Sequence, residues 1–277
     1  MQKTGIEYLD TCWNFYSGCR HGLDVCSVAD KCWARSMAHR FGKSFEPTLH
    51  PEKLLEPLSL KKPSRIGVCF TGDLFGEWVS PTTMCATKES PYGKDLKTKV
   101  FDVIKDCHRH QFFFLTKNPD GYQKWGIFPD NAYCGVTVCD DVALTEAYKP
   151  MIDVRSKHAW LSIEPLTNWG MSKDDLVFSL KGMGINWVAI GGWSSGKNPP
   201  RYEWIKEIVD ACYKAKVPVF LKNNLTTLLR ENTHNIYSFP EWAGKQFAIT
   251  GDHSLTSPEP HSNEPMRNLR QEFPSVQ

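Results

Sequence analysis

Six short apolar runs recur along the chain, each closed by a polar or glycine turn, and this repeat limits the fold more than any other feature. The runs are RIGVCFTG (65–72), QFFFLTK (111–117), AYCGVTV (132–138), AWLSIE (159–164), NWVAIGG (186–192) and VPVFLK (217–222). None alternates cleanly between apolar and polar residues. Each therefore reads as a strand buried on both faces, the pattern of a parallel sheet. Amphipathic segments lie between several of them. In DLKTKVFDVIKDCHRH (95–110) one stripe holds Val100, Val103, Ile104 and Cys107, and in RYEWIKEIVDACYKAK (201–216) another holds Trp204, Ile205, Ile208 and Cys212. Strand–helix alternation implies right-handed βαβ crossovers. With a seventh candidate strand near YLDTCWNF (8–15), the expectation is an α/β fold, a complete or partial (β/α) barrel of parallel strands. A doubly wound sheet is the alternative.

The strand ends read TGD (71–73), TKN (116–118), TVCDD (137–141), SIEP (162–165), GGWSSG (191–196) and LKNN (221–224). In a β/α barrel such ends form the active-site rim. Any one of them is what an ordinary strand exit carries; six converging ends are harder to dismiss. The 277 residues, 41% of them hydrophobic, suit one large domain or two small ones. The net charge of +2 gives no overall bias toward nucleic acid or membrane. No apolar run reaches the roughly 18–20 residues of a membrane span, and MQKTGIEYLDTCWN has no export signal. A cytoplasmic setting follows as the expectation. Residues 1–250 are expected to form the barrel, with 226–250 resembling an insertion. Residues 251–277 are rich in proline and polar residues and read as a loop and tail that docks through Met266, Leu269 and Phe273.

Cys19, Cys26 and Cys32 lie in SGCRHGLDVCSVADKCWAR (17–35) with spacing C-x6-C-x5-C. In a reducing compartment clustered cysteines point to metal or catalysis rather than disulfides. Zinc would need a fourth ligand, for which His21 and His39 are candidates. A nucleophile needs one thiol and leaves two idle. Three thiolates suit an iron–sulfur cubane with one iron left open. Cys107, His108 and His110 form a second candidate metal patch, but they end an amphipathic helix, where basic groups are expected.

The order of short motifs resembles a known group. TCWNFYSGC, CWARSMAHR, LHPEKLLEPL (49–58), GDLFGEWV (72–79), LTKNP (115–119), GVTV (135–138), SIEPL (162–166), WVAIGG (187–192), VPVFLKNNL (217–225) and LRQEFP (269–274) occur in that sequence. In this the chain is similar to the radical S-adenosylmethionine (SAM) superfamily, and within it to the phage-associated three-Cys-motif branch. The last cysteine gap is five residues where that branch commonly has two, and Trp33 stands where it often has tyrosine. Residues 226–264 read as an insertion between FLKNNL and LRQEFP.

The resemblance implies an enzyme with a [4Fe–4S] cluster on Cys19, Cys26 and Cys32. The open iron would chelate SAM, and one electron would cleave SAM to a 5′-deoxyadenosyl radical that abstracts hydrogen from a substrate. An electron donor such as flavodoxin or ferredoxin is implied, with a nucleic acid, nucleotide or base as the first-choice substrate. A protein or small metabolite is the second choice, and a non-catalytic metal-stabilised binding protein, acting with a partner encoded nearby, is the third. Thr71, Gly72 and Asp73 would approach the methionine amino group. Asp73 would otherwise be a helix cap or turn residue. Thr116, Lys117, Thr137 and Ser162 would contact ribose or the methionine carboxylate. Glu164 would hold ribose hydroxyls or substrate, or else form an ion pair with Lys117 or Lys222. Gly191 and Gly192 would admit the adenine, or simply make a tight strand exit. Lys222 and Asn223 would bind an anionic group. Trp13 and Trp33 would shield the cluster loop, and Arg20, Lys31, Arg35 and Arg40 near it permit binding of a single strand.

Overall fold

The computed structural model describes residues 1–87, 90–193, 198–232 and 269–274. The chain opens with β1 (Gln2–Lys3), β2 (Thr11–Trp13) and β3 (Tyr16–Ser17), then α1 (Trp33–Arg40), β4 (Thr48–Leu49) and β5 (Arg65–Val68). A hairpin of β6 (Met84–Thr87) and β7 (Ser90–Asp95) leads into α2 (Leu96–Asp106), β8 (Gln111–Thr116) and β9 (Ala132–Val138). There follow α3 (Asp141–Ile152), β10 (His158–Ile163), α4 (Lys173–Gly182), β11 (Ile185–Ile190), α5 (Tyr202–Ala215), β12 (Val219–Leu221) and α6 (Thr226–Glu231).

The main sheet runs β1-β2-β5-β8-β9-β10-β11-β12. From β2 to β12 the seven strands are parallel and follow chain order without reversal. A doubly wound sheet would reverse direction at a switch point, so that alternative is excluded. Among the described residues the order begins and ends on different strands, the order of a partial barrel. All seven expected apolar runs are strands of this sheet. Their continuous apolar character reflects burial on both faces: Phe112, Phe113 and Phe114 on β8 and every residue of β10 are buried.

The chain divides into two compact units. The first comprises Met1–Thr137 and Lys149–Trp160. In its core Phe75 sits among Tyr122, Trp125, Phe128 and Phe114. Helix α2 is capped by Asp95, whose carboxylate accepts from Thr98 N at 2.7 Å, and it buries Val100, Val103 and Ile104 as its periodicity requires. Cys107 and His110 are also buried there, and His110 Nδ1 accepts from Ser64 N at 3.1 Å. Cys107 and His110 thus face the core, while His108 is exposed. The β8–β9 crossover carries a 3₁₀ turn over Pro119–Trp125 in place of an α-helix.

The second unit comprises Val138–Tyr148 and Leu161–Gln277. Here residues 269–274 return to β12 in antiparallel fashion. Leu221 N donates to Arg270 O at 2.8 Å and Glu272 N to Val219 O at 3.0 Å, and Phe273 meets the Phe220 ring at 5.4 Å. Leu269 is fully buried. The expected docking of the tail is thus seen for Leu269 and Phe273, while Met266 lies outside the described residues. The insertion-like stretch begins as α6, and its remainder after Asn232 also lies outside them. Among the described residues no helix is long and apolar enough to cross a membrane.

Candidate functional site

In the first unit the cysteine loop is fastened where β5 ends. Gly18 N donates to Thr71 O at 3.1 Å, and Gly18 pairs with Gly72 as a parallel bridge. Two glycines make this approach possible. A Cβ on Gly72 would overlap the Gly18 carbonyl, and Gly18 has φ +83° with its own Cβ direction blocked by the Glu46 carbonyl. Cys19 follows at once, its N–H donating to Phe45 O at 3.1 Å. Thr71 and Gly72 therefore serve the loop through their backbones.

Asp73 is the centre of this region and is only 5% exposed. Its Oδ1 accepts from Phe75 N at 2.9 Å and from the Thr116 hydroxyl at 2.8 Å. Its Oδ2 accepts from His21 Nε2 at 2.9 Å and Lys117 N at 3.1 Å. A carboxylate only accepts, so Nε2 is the protonated ring nitrogen of His21. The bond to Phe75 N fulfils the turn alternative for Asp73. The others go further and tie the cysteine loop to the exits of β5 and β8. Thr116 uses its hydroxyl on Asp73 and accepts from Asn118 N at 2.9 Å. His21 is buried, with its ring edge-on to Trp78 at 4.8 Å, and its backbone N–H donates to Cys19 Sγ at 3.4 Å.

Cys19, Cys26 and Cys32 are all free thiols. Burial pushes the Cys19 thiol up to about 11. The N–H of His21 opposes this, and the negative charges of Asp73, Cys26 and Cys32 add to it. Catalytic nucleophiles have depressed values, so Cys19 is poorly suited to that role. A thiol raised in part by its two neighbours in the motif is one that a bound cation would relieve. Among the described residues no group of three or more His, Cys, Asp and Glu side chains is disposed to hold a metal ion. The donor chemistry fits a metal or cluster, and the loop would have to draw its sulfurs together to hold one. The two tryptophans expected as shields behave otherwise. Trp13 is core, its Nε1 donating to Lys53 O at 2.8 Å, and Trp33 is 53% exposed.

The second unit has its own polar set at strand ends. Lys222 Nζ donates to Glu164 Oε1 at 2.6 Å, so the ion-pair alternative for Glu164 holds, with Lys222 and not Lys117. Gly191 makes room for this pair, since its Cβ would lie 3.0 Å from Lys222 Cδ and 3.1 Å from Glu164 Cδ. Gly192 is gripped by one side chain. Its N–H donates to Asn224 Oδ1 at 3.0 Å and its carbonyl accepts from Asn224 Nδ2 at 2.8 Å. Asn223 Oδ1 accepts from Gln271 Nε2 at 2.8 Å. Ser162 is buried in β10, while Thr137, of the first unit, is half-buried near the end of β9. Sequence reasoning missed Asn224, whose only signal is the polar strand exit LKNN, and did not foresee that His21 would partner Asp73.

These features define a class: an α/β protein with partial-barrel strand order whose first parallel strand leads into a three-cysteine loop clamped by a buried His–Asp pair. A family model described as "Protein of unknown function (DUF5131)" matches residues 3–235, and the chain belongs to that family. No curated protein and no solved structure matches the chain.

Proposed function

We propose that the chain is an iron–sulfur enzyme of the radical SAM type, with Cys19, Cys26 and Cys32 as cluster ligands. The observation that carries this reading is one loop bearing three free thiols whose start, beside Cys19, is fastened at the end of a parallel strand. When bound, the cluster would pass an electron to SAM, and the cleaved cofactor would supply the radical that takes hydrogen from substrate. The protein's own part is positional. The Gly18–Gly72 contact holds the start of the loop, and Asp73 anchors the His21 ring, while the His21 backbone N–H supports Cys19 sulfur. Asp73 already accepts from four donors, so its role here is to hold the loop and not to bind an ammonium. An oligonucleotide, nucleotide or base is the substrate class proposed, and a flavodoxin- or ferredoxin-like protein the electron donor.

One observation favours a second reading. A metal-bound histidine ordinarily donates its other ring N–H to a carboxylate, and His21 Nε2 does so to Asp73. His21 Nδ1 with the three cysteines would make a Cys₃His zinc site, the non-catalytic alternative. Anaerobic purification with metal analysis, then reconstitution and a reductant-dependent assay for 5′-deoxyadenosine, decides between them. Iron, SAM binding and 5′-deoxyadenosine are the expected result. Stoichiometric zinc without iron, retained in wild type and lost in His21→Ala, would establish the second reading.

A further inference from the structure

Helix α1 differs from the surrounding surface in two respects at once. Trp33, Met37 and Phe41 recur at i, i+4 and i+8 and so share one face, and they are 53%, 40% and 66% exposed. The helix's buried residue is Ala34. From Lys31 through Phe45 the chain carries Lys31, Arg35, Arg40 and Lys43 and no Asp or Glu, in a molecule whose net charge is only +2. Arg35 lies over the Phe45 ring at 5.4 Å. Arg40 follows Trp33 by seven residues, two helical turns, and falls on the apolar face. Among the described residues neither Arg40 nor Lys43 is paired with a carboxylate.

We propose that this face of α1 binds single-stranded nucleic acid, with bases stacking on Trp33 and Phe41 and phosphates held by Arg40 and Lys43. Aromatic rings interleaved with cations are the general solution for a single strand, because every base offers a π-face and every nucleotide a phosphate. The charge is complementary to a polyanion. A duplex keeps its bases stacked on each other and would leave both rings uncovered. Trp33 and Phe41 are about 12 Å apart along the helix, the length of roughly three stacked nucleotides. Cys32 stands at the N-cap of α1, so a bound strand would lie beside the cysteine loop. As a substrate class the inference rests on the reading given under Proposed function, but binding itself does not require iron.

The test is fluorescence anisotropy of the full-length protein with a labelled 12-nucleotide single strand across a salt series, in parallel on metal-loaded and metal-stripped protein. Trp33→Ala is expected to weaken binding about 5- to 150-fold, with Trp33→Phe restoring most of it. Arg40→Ala and Lys43→Ala should each flatten the slope of log affinity against log salt by about one. Phe178→Ala, at an exposed aromatic of α4, should change nothing. Duplex of the same length bound as tightly as single strand would overturn the proposal. So would polyglutamate bound as tightly with the same dependence on Trp33, which would assign the face to an acidic protein. Absence of binding at low salt overturns it as well. Strand binding without iron or 5′-deoxyadenosine would leave this inference standing and remove the enzymatic one.

Discussion

Asp73 brings a carboxylate into a place nearly closed to water, and its four donors are what make that tolerable. Three of them come from far along the chain: His21 is 52 residues away, Thr116 is 43 and Lys117 is 44. Asp73→Asn keeps the shape but turns one acceptor oxygen into a donor facing donors. It should cost about 1–3 kcal/mol in urea denaturation and lower metal affinity by about ten- to a hundredfold, as expected when an outer partner of a ligand loop is lost. Unchanged stability and metal content would remove Asp73 from the loop's support. The thiols give a second prediction. Cys19→Ala, Cys26→Ala and Cys32→Ala should each abolish bound iron and the broad absorption near ~400 nm expected of the cluster, whereas buried Cys107→Ala and Cys212→Ala should retain both. Much of this residue-scale detail was not legible in sequence. The turn at Asp73 is local, two residues long, and was foreseen as one of two options. The His21 contact is not local, and no spacing rule links residues 21 and 73. The Glu164–Lys222 pair was legible only as a choice of partners because both residues stand at strand exits, where charge that is not solvated must be matched.

Strands advertise themselves by composition when they are buried on both sides, which is why all seven parallel strands could be read from apolar runs while smaller elements could not. β3 and β4 are two residues each, too short to carry any period. The β6–β7 hairpin has no apolar alternation across MCAT and SPYGKD. Docking of the tail was legible from three apolar side chains, Met266, Leu269 and Phe273, but its pairing with β12 was not, and that backbone pairing is what completes the element. It covers an edge that would otherwise present unpaired N–H and C=O groups. Trp187 Nε1 donates to Glu272 O at 2.8 Å, and Val219 N donates to Glu272 Oε2 at 2.7 Å. Truncation after residue 268 should therefore lower Tm by roughly 5–10 °C, from the loss of buried Leu269 and these bonds. It should also increase aggregation measured by light scattering. A truncated protein with unaltered Tm would show that the edge does not need its cover.

At the scale of the whole molecule, the described histidines are unevenly shared between the units. Every histidine among the described residues belongs to the first unit. Three of them, His50, His110 and His158, are held below the ordinary imidazole value. Burial is the main cause in each, reinforced by Lys53 and Lys43, by Arg109 and His108, and by Lys157 respectively. A histidine with a folded value below its unfolded one binds its proton more readily when unfolded. Its contribution is thus fully present above about pH 6.5 and is lost as pH falls through the folded value. Asp10 has the same sign lower on the scale: burial raises it, but hydrogen bonds and charge from Arg65 outweigh burial and hold it below the usual carboxylate range. Acid between pH 6.5 and 5 should therefore loosen the first unit selectively. Hydrogen exchange corrected for intrinsic rate should show β5 and β8 losing protection over that interval while β11 and β12 keep theirs. His110→Asn preserves an acceptor for Ser64 N and removes the titrating ring, so it should reduce the loss in β8. Equal loss in both units would mean that the molecule unfolds as one cooperative body and would overturn the selective opening of the first unit. If the first unit does yield first, it takes the cysteine loop with it, because Asp73, Thr116 and the Gly18–Gly72 contact all belong to that unit. Metal retention should then fall over the same pH interval in wild type and fall less in His110→Asn, a coupling that proton competition at the thiols alone would not produce.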